Sequence, residues 1–347
     1  MSFIQTEDAG DRAVGLWLMT IVFLVFAMIV VGGATRLTES GLSMVHWQPI
    51  SGIMPPTTEA EWAEEFAAYQ QYPEYRQLNR GMTLEEFKGI FAWEFGHRLL
   101  GRFIGLAFAL PLLYFIGRRK VRPELKMRLF GLLALGGAQG LMGWYMVKSG
   151  LVDNPDVSHY RLAAHLLLAL VILNVALWTG LELLRPRPAG DGAGLTRWAK
   201  IMAGLLYVQL FYGALTAGLN AGFSWNTWPL MDGALLPAGL SDLAPVWLNF
   251  TENPMTVQFL HRFGAYAVII LAVLIVVRAR KRIAEPTVRR AAMALLHLSL
   301  MQVALGIWTL LAVVPVALGT LHQGVGVLVF LTGIMLLYEL KEPPGLK

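Results

Sequence analysis

The 347-residue sequence has no cysteine and few charges: Asp, Glu, Lys and Arg fill 15% of positions, whereas AVILMFWYC fill 56%. Without a thiol, disulfides, thiolate metal sites, iron–sulfur clusters and cysteine nucleophiles are all excluded. Soluble domains carry about a quarter charged residues, so the shortage of charge points to a membrane protein, as do long apolar runs separated by short charged clusters. Residues 1–12 are polar and mildly acidic and lack the basic stretch and small-residue cleavage site of a signal peptide. The first apolar run is therefore expected to stay as a helix. A net charge of +5 does not imply nucleic acid here, because the basic residues lie between apolar runs. Orientation in a lipid bilayer explains them better.

Eight runs are long enough to cross about 30 Å of hydrocarbon as helices: residues 15–34, 93–117, 129–147, 160–183, 198–219, 257–277, 288–311 and 316–338. Three connections, 117–128, 184–200 and 278–290, hold sixteen Lys and Arg. The opposite-side connections hold five: Arg36, Arg76, Arg80, Lys88 and Lys148. The positive-inside rule puts both termini in the cytoplasm and the acidic first loop outside. That loop, residues 35–92, carries two capping-box signatures, Thr58 with Glu61 and Thr83 with Glu86. It should hold helices of its own, the second running into the second span. Pro186, Pro188, Gly190, Gly192 and Gly194 mark a flexible inside connection and the boundary between halves.

The halves repeat. Gly41, Ser43, Trp47, Gly52 and Pro56 recur as Gly222, Ser224, Trp228, Gly233 and Pro237, 181 positions later. Glu94-Phe-Gly-His97-Arg98 returns as Gln258-Phe-Leu-His261-Arg262; Gln139 and Gly143 return as Gln302 and Gly306, and His165 as His322. With four spans each, both halves enter from the same side and should be related by an axis along the membrane normal. The expected fold is all-α, with eight transmembrane helices in two pseudo-symmetric four-helix bundles. The halves are residues 1–184 and 198–347, joined by a linker at 185–197.

His97, His165, His261 and His322 sit near the outward ends of the even-numbered spans, two per half and on different helices. Ionisable residues inside spans usually face the protein interior with a partner or cofactor. Opposed imidazoles on separate helices suit the two axial positions of a haem iron. A lone histidine of this kind is more often a packing residue; four at equivalent positions weaken that reading. Arg98 and Arg262 follow two of them and suit haem propionates, whereas Arg102 and Arg161 equally fit snorkelling to the interface. His46, His159 and His297 read as structural. The halves differ three residues before the histidine, where Glu94 faces Gln258. A buried carboxylate can act as base or stabilise positive charge, and an amide cannot take a proton in that way. Chemistry is thus expected in the first half and a resident cofactor in the second, unless Glu94 merely pairs with Arg98.

The chain resembles the haem A synthase family in its cysteine-free form, related to the mitochondrial enzyme. The motifs run through nearly the whole chain: Val-Gly-Gly-Ala-Thr-Arg-Leu-Thr at 31–38 with Ser-Gly-Leu-Ser at 40–43, Trp-Glu-Phe-Gly-His-Arg at 93–98, and Gln-Gly-Leu-Met-Gly-Trp-Tyr-Met-Val at 139–147. Gly-Leu-Asn-Ala-Gly at 218–222 with Asn-Thr-Trp-Pro-Leu-Met at 226–231, and Gln-Phe-Leu-His-Arg at 258–262, complete them. The resemblance implies oxidation of the C8 methyl group of haem O to a formyl group, through an alcohol, with haem b as cofactor. It implies His261 and His322 as haem b iron ligands, with Arg262 at a cofactor propionate. His97, His165 and Arg98 would bind the substrate haem, with Glu94 as the essential acid. Some relatives carry a cysteine pair in an outer loop; this chain has none, which puts any thiol-dependent step out of reach. An electron acceptor and the upstream haem O synthase are the implied partners, oligomerisation is open, and the implied location is the bacterial cytoplasmic (inner) membrane, with the haem sites toward the outer side. The competing readings are a bis-histidine cytochrome that only passes electrons, and a transporter or haem-delivery protein. Transport would gather ionisable residues near the midplane rather than at one end.

Overall fold

The computed structural model describes residues 2–46, 52–150, 157–185, 189–191, 194–282 and 284–341. Among these the fold is all-α. Eight helices are long and apolar enough to cross a membrane, and the protein is an integral membrane protein. They are α1 (Ser2–Leu37), α4 (Leu84–Gly117), α5 (Pro123–Gly150), α6 (His159–Leu184), α7 (Thr196–Gly218), α9 (Pro254–Lys281), α10 (Pro286–Leu311) and α11 (Val316–Glu339). Three shorter helices, α2 (Glu59–Tyr69), α3 (Pro73–Gln77) and α8 (Asn249–Glu252), lie in the two long loops.

Two spans, α4 and α9, extend past their apolar runs to side-chain caps in the outer loops. Both capping boxes form: Thr58 accepts from the Glu61 N–H, and Thr83 accepts from the Glu86 N–H. The second opens α4, which continues into the membrane as one helix, as its cap predicts. Asn253 caps α9 by accepting from the Met255 and Thr256 N–H groups, and Pro254 occupies the first turn, where no N–H is needed.

Neighbour relations define the architecture. In the first half α1 packs on α4, α4 on α5, α5 on α6, and α6 back on α1. In the second half α7, α9, α10 and α11 make the same circuit in the same order. The halves meet where α1 packs on α11 and α6 on α7. These four inner helices share one core, which includes Leu18, Leu170, Leu173, Met202 and Phe330. The outer pairs present apolar faces outward, for example Phe103, Leu106, Leu110 and Leu113 on α4, as a lipid-facing surface requires. A separate aromatic cluster of Tyr69, Phe87 and Phe91, with Trp62 and Phe66 against it, folds the first outer loop onto the start of α4.

The connection between the halves is held more firmly than its glycines predict. Gly190 donates to the Glu339 carbonyl (2.9 Å), and Arg185 pairs with the Glu339 carboxylate (2.7 Å). Asp191 accepts from Thr196 N (3.0 Å) at the start of α7. Contact with the end of α11, distant in sequence and invisible in local composition, supplies the two bonds to Glu339. Trp47, Pro186, Pro188 and Gly192 lie outside the described residues.

Candidate functional site

In each circuit the two histidine-bearing helices sit across from one another: α4 opposite α6, and α9 opposite α11. His165, His261 and His322 fall within the first two turns of their helices, and His97 lies deeper in α4, whose start projects into the outer loop. In the second half the His261 and His322 rings face each other with centroids 6.3 Å apart and planes at 84°. A metal with bonds of about 2 Å to each imidazole needs ring centres about 6 Å apart. Nδ1 of His322 and Nδ1 of His165 are buried without a hydrogen-bond partner. A donor set of two opposed imidazoles with an unpartnered ring nitrogen fits an iron porphyrin.

Each histidine is backed by a glycine on a neighbouring helix, and the four glycines are repeat mates. A Cβ on Gly32 would stand 3.3 Å from His97 Nε2, and one on Gly143 3.3 Å from His165 Cε1. On Gly213 it would stand 3.1 Å from His261 Cε1, and on Gly306 only 2.8 Å from His322 Cε1. These glycines are there because the imidazole needs the space. Sequence reading had marked Gly143 and Gly306 as repeat matches without a role, and their spacing alone carries no signal of what they touch. Glutamines complete the support: Gln209 Nε2 lies 3.1 Å from His261 Nδ1, and Gln139 donates to the His165 carbonyl (3.1 Å).

Glu94 is 2% exposed. Its carboxylate accepts from Ser43 Oγ (2.7 Å) and the Met44 N–H (2.7 Å), and pairs with Arg98 (2.5 Å). Pairing with Arg98, the alternative open from the sequence, is therefore present. Arg98 also donates to the carbonyls of Met44 (2.9 Å) and His46 (3.4 Å). The second half repeats the clamp with inverted polarity. Gln258 Nε2 donates to the carbonyls of Ala221 (2.6 Å) and Ser224 (2.8 Å). Arg262 donates to Gln258 Oε1 (2.6 Å) and to the carbonyls of Trp225 (2.6 Å) and Thr227 (2.8 Å). The first loop thus offers donors to a carboxylate, and the second offers acceptors to an amide. The Glu94/Gln258 difference is built into the loop that faces each residue. Both arginines spend part of their donor capacity on this clamp.

The remaining candidates stand apart. Arg161 is hydrogen-bonded to Ser149 and lies over the Tyr145 ring at 4.8 Å, bridging α5 and α6. His46 lies 3.5 Å from Glu65 in the outer loop, and His159 stacks against Tyr160 at 4.2 Å. His297 faces outward on α10.

Sequence reading missed Glu74, a buried acid on α3 in the outer loop. Burial, and then the charge of Glu94, push its carboxyl up to about 8. Tyr69, Glu39 and Arg36 also face it, and its Oε2 has no partner. A raised folded-state value means that stability is fully present below about 4.5 and is lost as pH climbs through about 8. Hydrogen exchange of α2 and α3, corrected for intrinsic rates, should show protection falling between pH 5 and 8. Glu74→Gln should hold protection level across that range; an equal fall in the variant would assign the effect elsewhere.

Comparison with known proteins finds relatives along nearly the whole chain. The COX15-CtaA family model, described as cytochrome oxidase assembly protein, matches residues 15–334. A protein named "Heme A synthase" from Chelativorans sp. (strain BNC1) is 51% identical over 327 residues, covering 93% of this chain and 90% of its own. Another of that name from Parvibaculum lavamentivorans is 47% identical over 327 residues, 94% of each chain. A third, from Sinorhizobium fredii, is 49% identical over 333 residues, 95% of this chain and 90% of its own. The chain belongs to the COX15-CtaA family of cytochrome oxidase assembly proteins.

Proposed function

We propose that the protein is a haem A synthase, which oxidises the C8 methyl group of haem O to a formyl group. The observation that carries this reading is a pair of equivalent histidine sites that differ in one buried group, the Glu94 carboxylate against the Gln258 amide. A protein that only passed electrons would have no use for that difference.

The two helix circuits act as pseudo-symmetric bundles, residues 1–184 and 198–347, on either side of the 185–197 linker. The first takes the substrate, haem O, between His97 and His165. In the second His261 and His322 hold the resident cofactor, haem b, which supplies one-electron redox chemistry. Glu94 holds an anionic charge beside the substrate and takes the proton released as the methyl carbon is oxidised. The Ser43 hydroxyl and the Met44 N–H keep that carboxylate oriented, and its burial excludes bulk water from it. Arg98 balances its charge, and Arg262, whose Nε is buried without a partner, serves a propionate of the cofactor. Basic connections on one side support a topology with both termini in the cytoplasm of a bacterial cell and the sites toward the outer face. Haem O synthase is the natural supplier of the substrate; the conversion removes four electrons and adds one oxygen atom, so water with an electron acceptor, or dioxygen, must complete the cycle.

Purified protein from cells that also make haem O tests the reading. Extracted haem should contain haem b together with haem O, its alcohol or haem A, and added haem O should be converted. Recovery of haem b alone, without conversion, would favour an electron-carrying cytochrome.

A further inference from the structure

The two halves differ at a second corner, far from the histidines. Between the basic ends of α9 and α10 lies an open hollow of about 640 Å³. Arg280, Arg289, Arg290 and His297 line it together with apolar Val276, Ala279 and Met293, and none of its lining residues is acidic. Among the described residues the guanidinium groups have no carboxylate partner; Arg280 reaches only Met293 Sδ at 3.4 Å.

The repeat supplies an internal control. Pro123, Leu125 and Leu132 of α5 correspond to Pro286, Val288 and Leu295 of α10, and Leu112 and Phe115 of α4 to Val276 and Ala279 of α9. In the first half Leu112 and Phe115 are buried, with Phe115 against Trp17 of α1 at 5.5 Å. In the second half the smaller Val276 and Ala279 stand at these positions, also buried, and the tryptophan equivalent to Trp17, Trp198, lies beneath Arg278 (6.0 Å). Where the hollow carries Arg280, Arg290 and His297, the first half has Ile116, Met127 and Ala134. Orientation by positive charge is served equally by both connections, each with six basic residues. It does not explain why one corner gathers Arg280, Arg290 and His297 around a hollow where its mate carries only apolar side chains at the same repeat positions.

We propose that this hollow is a binding site for the headgroup of an anionic phospholipid. Arginines suit phosphate oxygens through paired hydrogen bonds, and basic pockets between membrane helices at this depth favour acidic headgroups. His297 lies two turns deeper than Arg290 on the same face of α10, about 10 Å along the axis. There it donates to the ester region of the lipid, which gives an outward-facing imidazole in an apolar span a partner. Val276, Ala279 and Met293 line the acyl chain.

Full-length protein reconstituted in phosphatidylcholine nanodiscs, with or without phosphatidylglycerol, then extracted into detergent and weighed by native mass spectrometry, tests this. Wild type should retain one phosphatidylglycerol, and inorganic phosphate should not displace it. Arg280→Ile with Arg290→Met, the residues of the other half, should weaken retention roughly thirtyfold while leaving haem content unchanged. Ala279→Phe should abolish retention by filling the space with every charge kept. Displacement by inorganic phosphate would make this a free-anion site. Retention unaffected by either variant, or equal retention of phosphatidylcholine, would overturn the proposal outright.

Discussion

Glu94→Gln is expected to cut haem O conversion at least about a hundredfold, the usual contribution of a positioned acid or base, with haem b still bound between His261 and His322. The structure adds a reason why the change is not innocent. Carboxylate oxygens accept from Ser43, Met44 and Arg98, and an amide must turn an N–H toward one of these donors. Leaving a buried donor without an acceptor costs roughly 1–3 kcal/mol. The reverse variant separates this cost from chemistry. Gln258→Glu sets a carboxylate against the carbonyls of Ala221 and Ser224, so it carries a similar local penalty in the half proposed to hold the cofactor rather than the substrate. If both variants lose stability alike and only Glu94→Gln loses conversion, the carboxylate acts on the substrate. Wild-type turnover in Glu94→Gln would remove Glu94 from the reaction altogether. Haem stoichiometry, thermal unfolding and haem O conversion on the same preparations decide among these outcomes.

His322→Ala is expected to abolish the resident haem, because one imidazole of the facing pair disappears and nothing nearby replaces it. A more telling change is Gly306→Ala, which leaves both ligands in the sequence. Its Cβ would fall 2.8 Å from His322 Cε1, too close for either to stay. The ring is held between α10 and its own helix, so the displaced imidazole loses its alignment with His261 across a 6.3 Å gap. Haem content should drop nearly as far as in His322→Ala. Gly143→Ala makes the matched control, since its contact with His165 is 3.3 Å and a few tenths of an ångström of movement absorbs it. Absorbance of the purified proteins measures both. Full haem content in Gly306→Ala would show that the glycine is not what seats His322.

The long apolar runs made the eight spans legible, and the two capping boxes located the helices of the first loop. Local chemistry suffices for both: about twenty apolar residues cannot leave a bilayer, and a Thr with a Glu three residues on closes its own helix end. The four histidines stood out because imidazoles are rare inside spans and these recur at repeat positions. Glu74 did not stand out, since nothing in the acidic first loop separates the one carboxylate that the aromatic cluster and α4 bury from those that face water. The hollow between α9 and α10 was equally silent. Arg280, Arg289 and Arg290 read as one more basic connection until they are seen lining one hollow.

The sequence by itself determined the membrane class, the count of spans, the repeat, and which residues differ between halves, because each follows from hydropathy, capping and spacing along the chain. Tertiary structure alone decided that α4 faces α6 and α9 faces α11, that a glycine stands behind each of the four paired histidines, and that Glu94 looks into a ring of donors while Gln258 looks at carbonyls. Those facts depend on which backbone passes within 3–4 Å of a side chain, and residues far apart in sequence meet there only after the helices have packed.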